Sequence, residues 1–188
     1  MITIRKELTK DAAAREALLD VGYGDARFGK VSERLREGRL PAAGLALVAC
    51  DRGRVVGTVR LWDVSAGIAR PALLLGPLTV HPDYRRRGIG SALVRRALDD
   101  ASRLGHGAVL LVGDAPYYGR FGFSSEKTAN LWLPGRYDAH RFLACELQPG
   151  ALEGARGLVS ATGRKPPKPA LAKLVAALRS NEPLPHAA

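Results

Sequence analysis

The sequence predicts one domain of the α/β class, of the mixed α+β type, in which a mixed central sheet is flanked by helices. Three observations support this class. The chain has 188 residues, and hydrophobic and charged residues make up 46% and 25% of it, which is typical of a single globular domain. Short apolar runs of strand length recur, bounded by Gly, Pro and polar residues. Between two of these runs, apolar residues recur at helical spacing over about four turns.

The first half of the chain is predicted to start with a strand and to alternate early between helix and sheet. Ile2 and Ile4 alternate with polar residues, and Ala13, Ala17 and Leu18 would share the inner face of the first helix. The predicted elements are a strand at residues 2–4, helices at Thr9–Asp20 and Phe28–Glu37, and strands at Leu45–Cys50 and Val55–Val64 that are joined by a hairpin turn.

The second half is predicted to contain the longest strand and the clearest helix. Pro77 lies inside the strand-like run Pro71–Val80, so either the strand tolerates an irregularity there or it begins after Pro77. The helix follows, with its apolar stripe at Ile89, Leu93, Ala97, Ala101 and Leu104. The remaining predicted elements are a strand at Ala108–Val112, a short helix at Ala115–Phe121, and strands at Ala129–Leu133 and Phe142–Leu147.

The composition changes after Pro149-Gly150. We predict a domain at residues 1–150 and a basic, Pro- and Gly-rich extension at residues 151–188, with a short helix at 169–179 that begins after Pro169. The helix would carry a stripe of Leu171, Leu174, Val175 and Leu178. This stripe could fold back on the domain, meet a second copy in a homodimer, or belong to a marginal helix at the end of a loose tail.

Charge and cysteine usage limit the class of protein. The net charge is +11, which would suit nucleic acid, but three of the positive charges form the cluster Arg85–Arg87, for which a small polyanionic ligand accounts. A nucleic-acid partner is therefore not expected. No run approaches the ~20 apolar residues of a membrane span. Cys50 and Cys145 are expected to be buried thiols of a cytoplasmic protein, and the four histidines show no metal-ligand spacing.

The run from Val80 to Ser91 predicts an anion-binding turn between a strand and a helix. Glycines allow the backbone to approach a phosphate, the first amides of a helix have no intrahelical acceptor, and arginines add forked donors. A P-loop is excluded because no Gly-Lys-Ser/Thr closes the run. A dinucleotide fingerprint lacks its third glycine, where Leu93 stands. The pattern that remains is Arg-x-x-Gly-x-Gly, from Arg85 to Gly90.

Two motifs in this order resemble the GCN5-related N-acetyltransferases, the GNAT family. Arg85 to Gly90 resembles the loop with which these enzymes bind the pyrophosphate of acetyl-CoA. The block Asp114-Ala-Pro-Tyr-Tyr-Gly-Arg-Phe-Gly-Phe123 is similar to the family's second signature, in which a tyrosine, here Tyr118, precedes a Gly-Phe pair by four residues. The resemblance covers roughly residues 1–150. It implies the GNAT acyl-CoA N-acyltransferase fold, with a bulged fourth strand that splays from the fifth around the pantetheine arm.

The resemblance also implies roles for particular residues. Tyr118 is the expected catalytic acid, which protonates the departing thiolate, although packing against the cofactor is an alternative role for it. Asp63 and Asp114 are the nearest candidates for a base, Asp114 could instead cap a helix, and proton removal through ordered water is the default. The expected cofactor-binding residues are Leu78, Thr79, Val80, Arg85, Arg86, Arg87, Gly88, Ile89, Gly90, Ser91, Asp114 and Tyr117.

The function expected from the resemblance is acetyl transfer from acetyl-CoA to a primary amine of an unidentified acceptor, without a metal. The acceptor would be an amine-bearing small molecule or a protein, selected by residues 21–40 and by the loop at residues 65–70. Two alternatives stay open. One is a non-catalytic module that senses acetyl-CoA, which the lack of an obvious base favours. The other is an acyltransferase that acts on a tRNA-linked amine, which the total charge favours.

Overall fold

The computed structural model of the protein describes residues 1–167. Three α-helices and nine strands lie within that range. The helices are α1 (Ala12–Tyr23), α2 (Ile89–Arg103) and α3 (Ala115–Gly119). The strands are β1 (Ile2–Lys6), β2 (Ala46–Asp51), β3 (Arg54–Ser65), β4 (Pro71–Val80), β5 (Ala108–Val112), β6 (Leu131–Trp132), β7 (Phe142–Glu146), β8 (Gly157–Leu158) and β9 (Ser160–Ala161).

Seven of these strands form one mixed sheet, which confirms the predicted fold class. Its order is β1-β2-β3-β4-β5-β7, and β9 also pairs with β3. All pairs are antiparallel except β4 with β5, which are joined through α2 and run parallel. The hairpin between β2 and β3 turns at Arg52 and Gly53, whose positive φ angles of 47° and 85° match the twist of the flanking strands.

The parallel pair β4–β5 separates soon after it forms. The two strands pair only at Leu73–Val109 and Leu74–Leu110, whereas β4 continues to Val80. On its other edge, β4 pairs with β3 on both sides of a bulge, because Gly76 and Pro77 together oppose one residue of β3. The strand therefore runs through Pro77, and the alternative in which it begins after Pro77 is wrong. A gap opens between β4 and β5 beyond the bulge.

The sheet is covered on both faces. On one face, α2 buries Ile89, Leu93, Ala97 and Ala101 as predicted, whereas Leu104 is exposed because the helix has ended before it. The opposite face packs against α1, the segment at residues 24–40 and the chain after residue 150. One apolar cluster on this face joins Leu35, Trp62, Leu74, Leu152 and Val159.

Three predicted elements differ in the structure. Residues 28–37 form no α-helix but end in a 3-10 turn, Glu33–Leu35, because one buried leucine and not an apolar stripe anchors them. In α1, Ala13 and Ala17 are exposed, and Leu18, Leu19 and an ion-paired Arg15 face inward. The strand predicted at residues 129–133 shrinks to β6, which pairs with β8 outside the main sheet.

The chain after residue 150 begins as part of the packed domain. Leu152, Ala155 and Val159 are buried, and β9 pairs with the end of β3. The extension predicted from residue 151 is thus anchored over its first stretch by apolar contacts and backbone hydrogen bonds. The helix predicted at 169–179 lies outside the described residues.

Cys50 and Cys145 are free and buried, as predicted. In the described part of the chain, the helices are too short or too polar to cross a bilayer. Across residues 1–167, His, Cys, Asp and Glu side chains do not gather into a group that could hold a metal ion.

Candidate active site

The loop between β4 and α2 presents backbone amides at the start of a helix. Arg86 and Gly88 have φ angles of 60° and 75°, in the left-handed region, which turns successive N–H groups toward one side. The amides of Arg86, Arg87 and Gly88 donate to no acceptor within residues 1–167, and the first helical bond is Ala92 N to Gly88 O. Holding an arginine at positive φ costs about 1–3 kcal/mol of folding free energy. Residues strained in this way cluster at ligand-binding sites.

The side chains of this loop surround those amides with positive charge. Arg85, Arg86 and Arg87 are exposed. The Arg85 Nε lies 3.4 Å from the Val80 carbonyl oxygen, and the Arg87 guanidinium lies 5.0 Å from the Tyr84 ring centroid. Ile89 is buried beneath the loop and fixes the start of α2. The predicted loop residues therefore form a basic, amide-lined turn suited to phosphate oxygens.

Asp114 holds the first turn of α3. Its carboxylate accepts a hydrogen bond from the Tyr117 amide at 3.2 Å, which is the cap geometry that the sequence allowed for it. Pro116, two residues after Asp114, suits a first helical turn because proline needs no acceptor for an N–H. Asp114 thus fixes the start of the helix that carries Tyr117 and Tyr118.

Tyr118 is the innermost of the two tyrosines on α3. Its ring packs so closely on Gly113 that a Cβ there would lie 2.3 Å from the Tyr118 Cε2. The ring also meets Phe123 edge to face, with centroids 5.8 Å apart. Burial raises the pKa of the Tyr118 phenol above its usual value, and the nearby Tyr23, Tyr117 and Asp114 raise it further. The phenol is therefore fully protonated at neutral pH.

The Tyr117 ring contacts the Tyr118 ring edge to face, and its hydroxyl reaches the loop. The two rings stand at 84° to each other, with centroids 4.9 Å apart. The Tyr117 hydroxyl lies against Gly90, where a Cβ would be 3.0 Å from its oxygen. The predicted loop and the predicted tyrosine helix, which are 27 residues apart at these two positions, therefore meet directly.

The gap between β4 and β5 forms a narrow cleft with Tyr118 at one wall. The β4 bulge and Val112 of β5 line its depth. Its mouth is formed by the segment after α1, which supplies Tyr23, Arg27, Lys30, Ser32 and Arg36. The described lining thus carries three cationic side chains and neither a carboxylate nor a histidine. Asp63, one of the predicted candidates for a base, is not among these lining residues.

Two side chains reach the edge of β4 that β5 leaves free. The Tyr23 hydroxyl donates a hydrogen bond to the Leu78 carbonyl, and Arg85 approaches the carbonyl of Val80. Between them, Thr79 is buried under α1, where a Cβ on Gly22 would lie 2.3 Å from its Oγ1. Burial raises the pKa of Tyr23, so its hydroxyl is a donor at neutral pH.

One amine of the protein, the side chain of Lys30, lies in the cleft beside other positive charges. The Lys30 ammonium lies 3.9 Å from the centroid of the Tyr23 ring. Partial burial lowers the pKa of Lys30, and the guanidinium groups of Arg36 and Arg141 lower it further. The same two effects, partial burial and nearby positive charge, would lower the pKa of another amine in this cleft.

A wider groove of about 780 Å³ adjoins the cleft and shares Arg27, Arg36 and Pro77 with it. Its walls are one side of α1, the segment at residues 27–39 and the outer face of β3. Trp62 and the exposed Phe28 supply apolar surface. The groove is open to solvent and borders the cleft through these three shared residues.

Comparison with known proteins identifies the family. The family model described as an acetyltransferase (GNAT) domain matches residues 42–125. YhbS, an uncharacterized N-acetyltransferase of Escherichia coli (strain K12), is 34% identical over 160 residues, which cover 83% of this chain and 93% of YhbS. The chain belongs to the GNAT family of acetyltransferases.

Solved structures of GNAT enzymes have the same fold. The crystal structure of Escherichia coli YhbS in complex with CoA aligns with a TM-score of 0.73 at 33% identity, over 85% of this chain and 89% of that one. A GNAT acetyltransferase from Brucella melitensis in complex with acetyl-CoA aligns with a TM-score of 0.65 at 28% identity, over 85% and 95%. The family resemblance read from the two motifs is therefore confirmed.

The structure brings the predicted site residues together around one gap and adds others. Leu78, Thr79 and Val80 form one rim, residues 85–91 one end, and Tyr117 and Tyr118 the opposite rim. Sequence reasoning missed Tyr23, Lys30 and Arg36, because no motif or periodicity marks their segment. The dense run of cations between Arg27 and Arg39 was the available signal.

Proposed function

We propose that the protein moves an acetyl group from acetyl-CoA to a primary amine in the cleft between β4 and β5. One observation carries this proposal. The splayed strands leave a cleft that has a basic, amide-lined turn at one end and a protonated tyrosine, Tyr118, at its wall. Family membership and the CoA and acetyl-CoA complexes of the two similar enzymes support acetyl-CoA as the donor.

The chain's own groups fit the parts of this donor. The amides and arginines of residues 85–91 would hold the pyrophosphate, because they combine free N–H groups with forked cations. The free edge of β4 at Leu78, Thr79 and Val80 would pair with the amides of the pantetheine arm as an added strand does. Tyr117, which lies against Gly90, would pack beside the donor where the loop meets α3. When bound, acetyl-CoA supplies the activated acyl group as a thioester.

Tyr118 is proposed to give its proton to the departing thiolate and to regain a proton, through water, from the attacking nitrogen as the amide forms. Burial raises the pKa of the Tyr118 phenol, so the group carries its proton at neutral pH. The Tyr118 hydroxyl has no hydrogen-bond partner within residues 1–167, which leaves its proton available.

The amine acceptor would lose its proton without a dedicated protein base. The cationic lining of the cleft disfavours an ammonium ion, as partial burial and the nearby guanidinium groups do at Lys30. A neutral amine is the nucleophilic form, and the released proton can pass to water at the open groove. This route accounts for the lack of a carboxylate or a histidine among the cleft residues that the structure describes.

Acetyl-CoA binding tests the donor part of the proposal. Acetyl-CoA at millimolar concentration should raise the melting temperature of the wild type, because a ligand that binds only the native state stabilises it. Gly90→Glu should abolish this rise, since it places a side chain and a negative charge on the loop. Gly29→Glu is the matched control, because a Cβ there meets only a carbonyl oxygen at 3.8 Å. An unchanged wild-type melting temperature would refute the proposal.

A second function is that of a sensor that binds acetyl-CoA without turnover. It is favoured because the lining residues within 1–167 include neither a carboxylate nor a histidine. Release of CoA thiol against a panel of amines separates the two functions. Amine-dependent release supports the enzyme, and acetyl-CoA binding without release for any amine supports the sensor. A cytoplasmic location, a homodimer and action on a tRNA-linked amine stay predictions from the sequence.

A further inference from the structure

Arg36 is a buried cation at the junction of the cleft and the groove. It follows the 3-10 turn Glu33–Leu35, and Leu35 inserts into the apolar cluster with Trp62 and Leu74. This anchor fixes the backbone of Arg36, whose residue surface is only 6% exposed. The side chain lines both the cleft and the groove.

The hydrogen bonds of Arg36 leave part of its guanidinium unused. Nη2 donates to the Glu33 carboxylate at 2.6 Å and lies 3.4 Å from the Ser32 hydroxyl. Nε is buried and has no hydrogen-bond partner among residues 1–167. Nη1 has none there either, and it faces the β4 bulge, where a Cβ on Gly76 would lie 3.6 Å away.

Such an arrangement is costly for a protein without a ligand. Arginine stays charged at all physiological pH values and carries five N–H donors. Burying a charged group with donors unmatched costs more than burying a fully paired one. Burial lowers the pKa of Arg36, and the single carboxylate of Glu33 only partly offsets that effect. An anion at Nη1 would supply the missing partner.

The other cations of the cleft leave this role to Arg36. Arg27 also has a buried Nε without a partner among residues 1–167, but both of its terminal nitrogens are ion-paired, with Glu16 at 2.8 Å and Asp20 at 2.9 Å. Lys30 is exposed at the mouth and lies on the Tyr23 ring. Arg36 is the cation that combines deep burial, a place beside the bulge and unused donors.

We propose that Arg36 binds a carboxylate of the acceptor, so that the acceptor is an amine with a carboxylate a few bonds away, as in an amino acid. This inference rests on the proposed function and names its substrate class. A carboxylate matches the planar fork of arginine. Because Arg36 lies inside the cleft, the anion must enter with the amine, which favours a small molecule over an acidic patch on a protein surface.

Matched acceptors test the proposal. The twenty proteinogenic amino acids and their carboxamides serve as acetyl acceptors, with release of CoA thiol as the signal. The two members of each pair have nearly the same shape, and only the free acid carries a carboxylate; rates are compared per neutral amine, because the amide is the weaker base. The wild type should prefer its best free acid over the corresponding amide by about 10- to 100-fold in kcat/KM, the range for a hydrogen bond to a charged group. Equal rates for acid and amide would overturn the proposal.

Two variants locate the effect. Arg36→Gln should remove most of the preference for the acid, mainly through KM, and leave the melting shift with acetyl-CoA intact. Arg34→Gln is the control, because this exposed arginine two residues earlier donates to the Pro134 carbonyl and lines neither cleft nor groove. A preference that survives in Arg36→Gln would overturn the assignment.

A third measurement applies if Arg36→Gln does not fold. With the wild type and an amide acceptor, propionate should inhibit in competition with the acceptor, and propionamide should not. Inhibition by neither compound would overturn the proposal. Aminoalkylphosphonates test the other anion that arginine binds well, and a preference for them over amino acids would replace the carboxylate by a phosphoryl group. Acetyl-CoA binding without release for any amine would instead contradict the proposed function.

Discussion

The Tyr117 hydroxyl oxygen lies where it would be 3.0 Å from a Cβ on Gly90, so α3 and the first turn of α2 touch through these two residues. We expect Gly90→Ala to weaken acetyl-CoA binding several-fold, because the methyl group displaces Tyr117 or narrows the loop. Tyr117→Phe removes the crowded oxygen, and the double variant should recover part of the lost affinity. Titration calorimetry with acetyl-CoA measures all three, and strictly additive losses would contradict this relationship.

Tyr118→Phe should lower kcat at least ~10-fold and leave acetyl-CoA affinity unchanged, since acid catalysis acts on the chemical step. The same change at Tyr117 is the control and should affect kcat less, because its hydroxyl points toward Gly90. Steady-state kinetics with an active amine decides the matter. A Tyr118→Phe enzyme as fast as the wild type would exclude Tyr118 as the acid.

The ion pair between Arg5 and Asp11 should make stability depend on acid pH. The hydrogen bond from Arg5, at 2.6 Å, lowers the pKa of Asp11 from 3.8 to about 2. A lowered carboxyl pKa stabilises the fold fully above the unfolded-state value, and this contribution is lost as the pH falls through about 2. Asp11→Asn should therefore cost about 1–2 kcal/mol near neutral pH and almost nothing below pH ~2.

Urea unfolding at a series of pH values measures this difference. Asp99→Asn is the control, because Asp99 is exposed on α2 and its side chain has no ion pair in the described structure. Its effect should stay within about 0.5 kcal/mol at every pH. A cost of Asp11→Asn that does not change with pH would contradict the assignment.

The contact between α1 and β4 leaves no room for a side chain on Gly22. A Cβ there would lie 2.3 Å from the Thr79 Oγ1. Alanine gains about 0.5–1 kcal/mol over glycine inside a helix, but overpacking typically costs about 1–3 kcal/mol. We therefore expect Gly22→Ala to be destabilising overall, and Thr79→Ala to restore part of the loss in the double variant. Thermal unfolding checks this, and a more stable Gly22→Ala would contradict it.

The sequence predicted the parts of the fold that local pattern controls. The apolar stripe from Ile89 to Ala101 predicted α2, and the turn residues Arg52 and Gly53 predicted a hairpin. Both motifs around the cleft were also predictable, because glycines and tyrosines stand at fixed spacing. The expectation that both motifs bind one cofactor rested on the family resemblance. The contact between Gly90 and Tyr117 shows where the two motifs meet.

The acceptor side could not be predicted in the same way. Residues 24–40 have no period, and Leu35 is their one deeply buried apolar residue. Their conformation depends on contacts with β3 and β4, which are distant in the sequence. The same holds for the two-residue strands β6 and β8, which form only because the chain after residue 150 returns to them. Local strand propensity does not predict such elements, because it depends on the packing context.

The early end of the β4–β5 pairing has a consequence for how this site can diversify. Two residue pairs, Leu73–Val109 and Leu74–Leu110, join the two halves of the sheet, and all four side chains are buried. Main-chain geometry therefore sets how deep a thioester can sit, and substitutions on the surface do not alter that depth. The segment at residues 24–40 pairs with neither strand and is anchored on the junction through Leu35, so its exposed residues can change shape and charge without moving the reacting centre. A new acceptor can thus be acquired at one edge of the molecule while the chemistry stays constant at its middle.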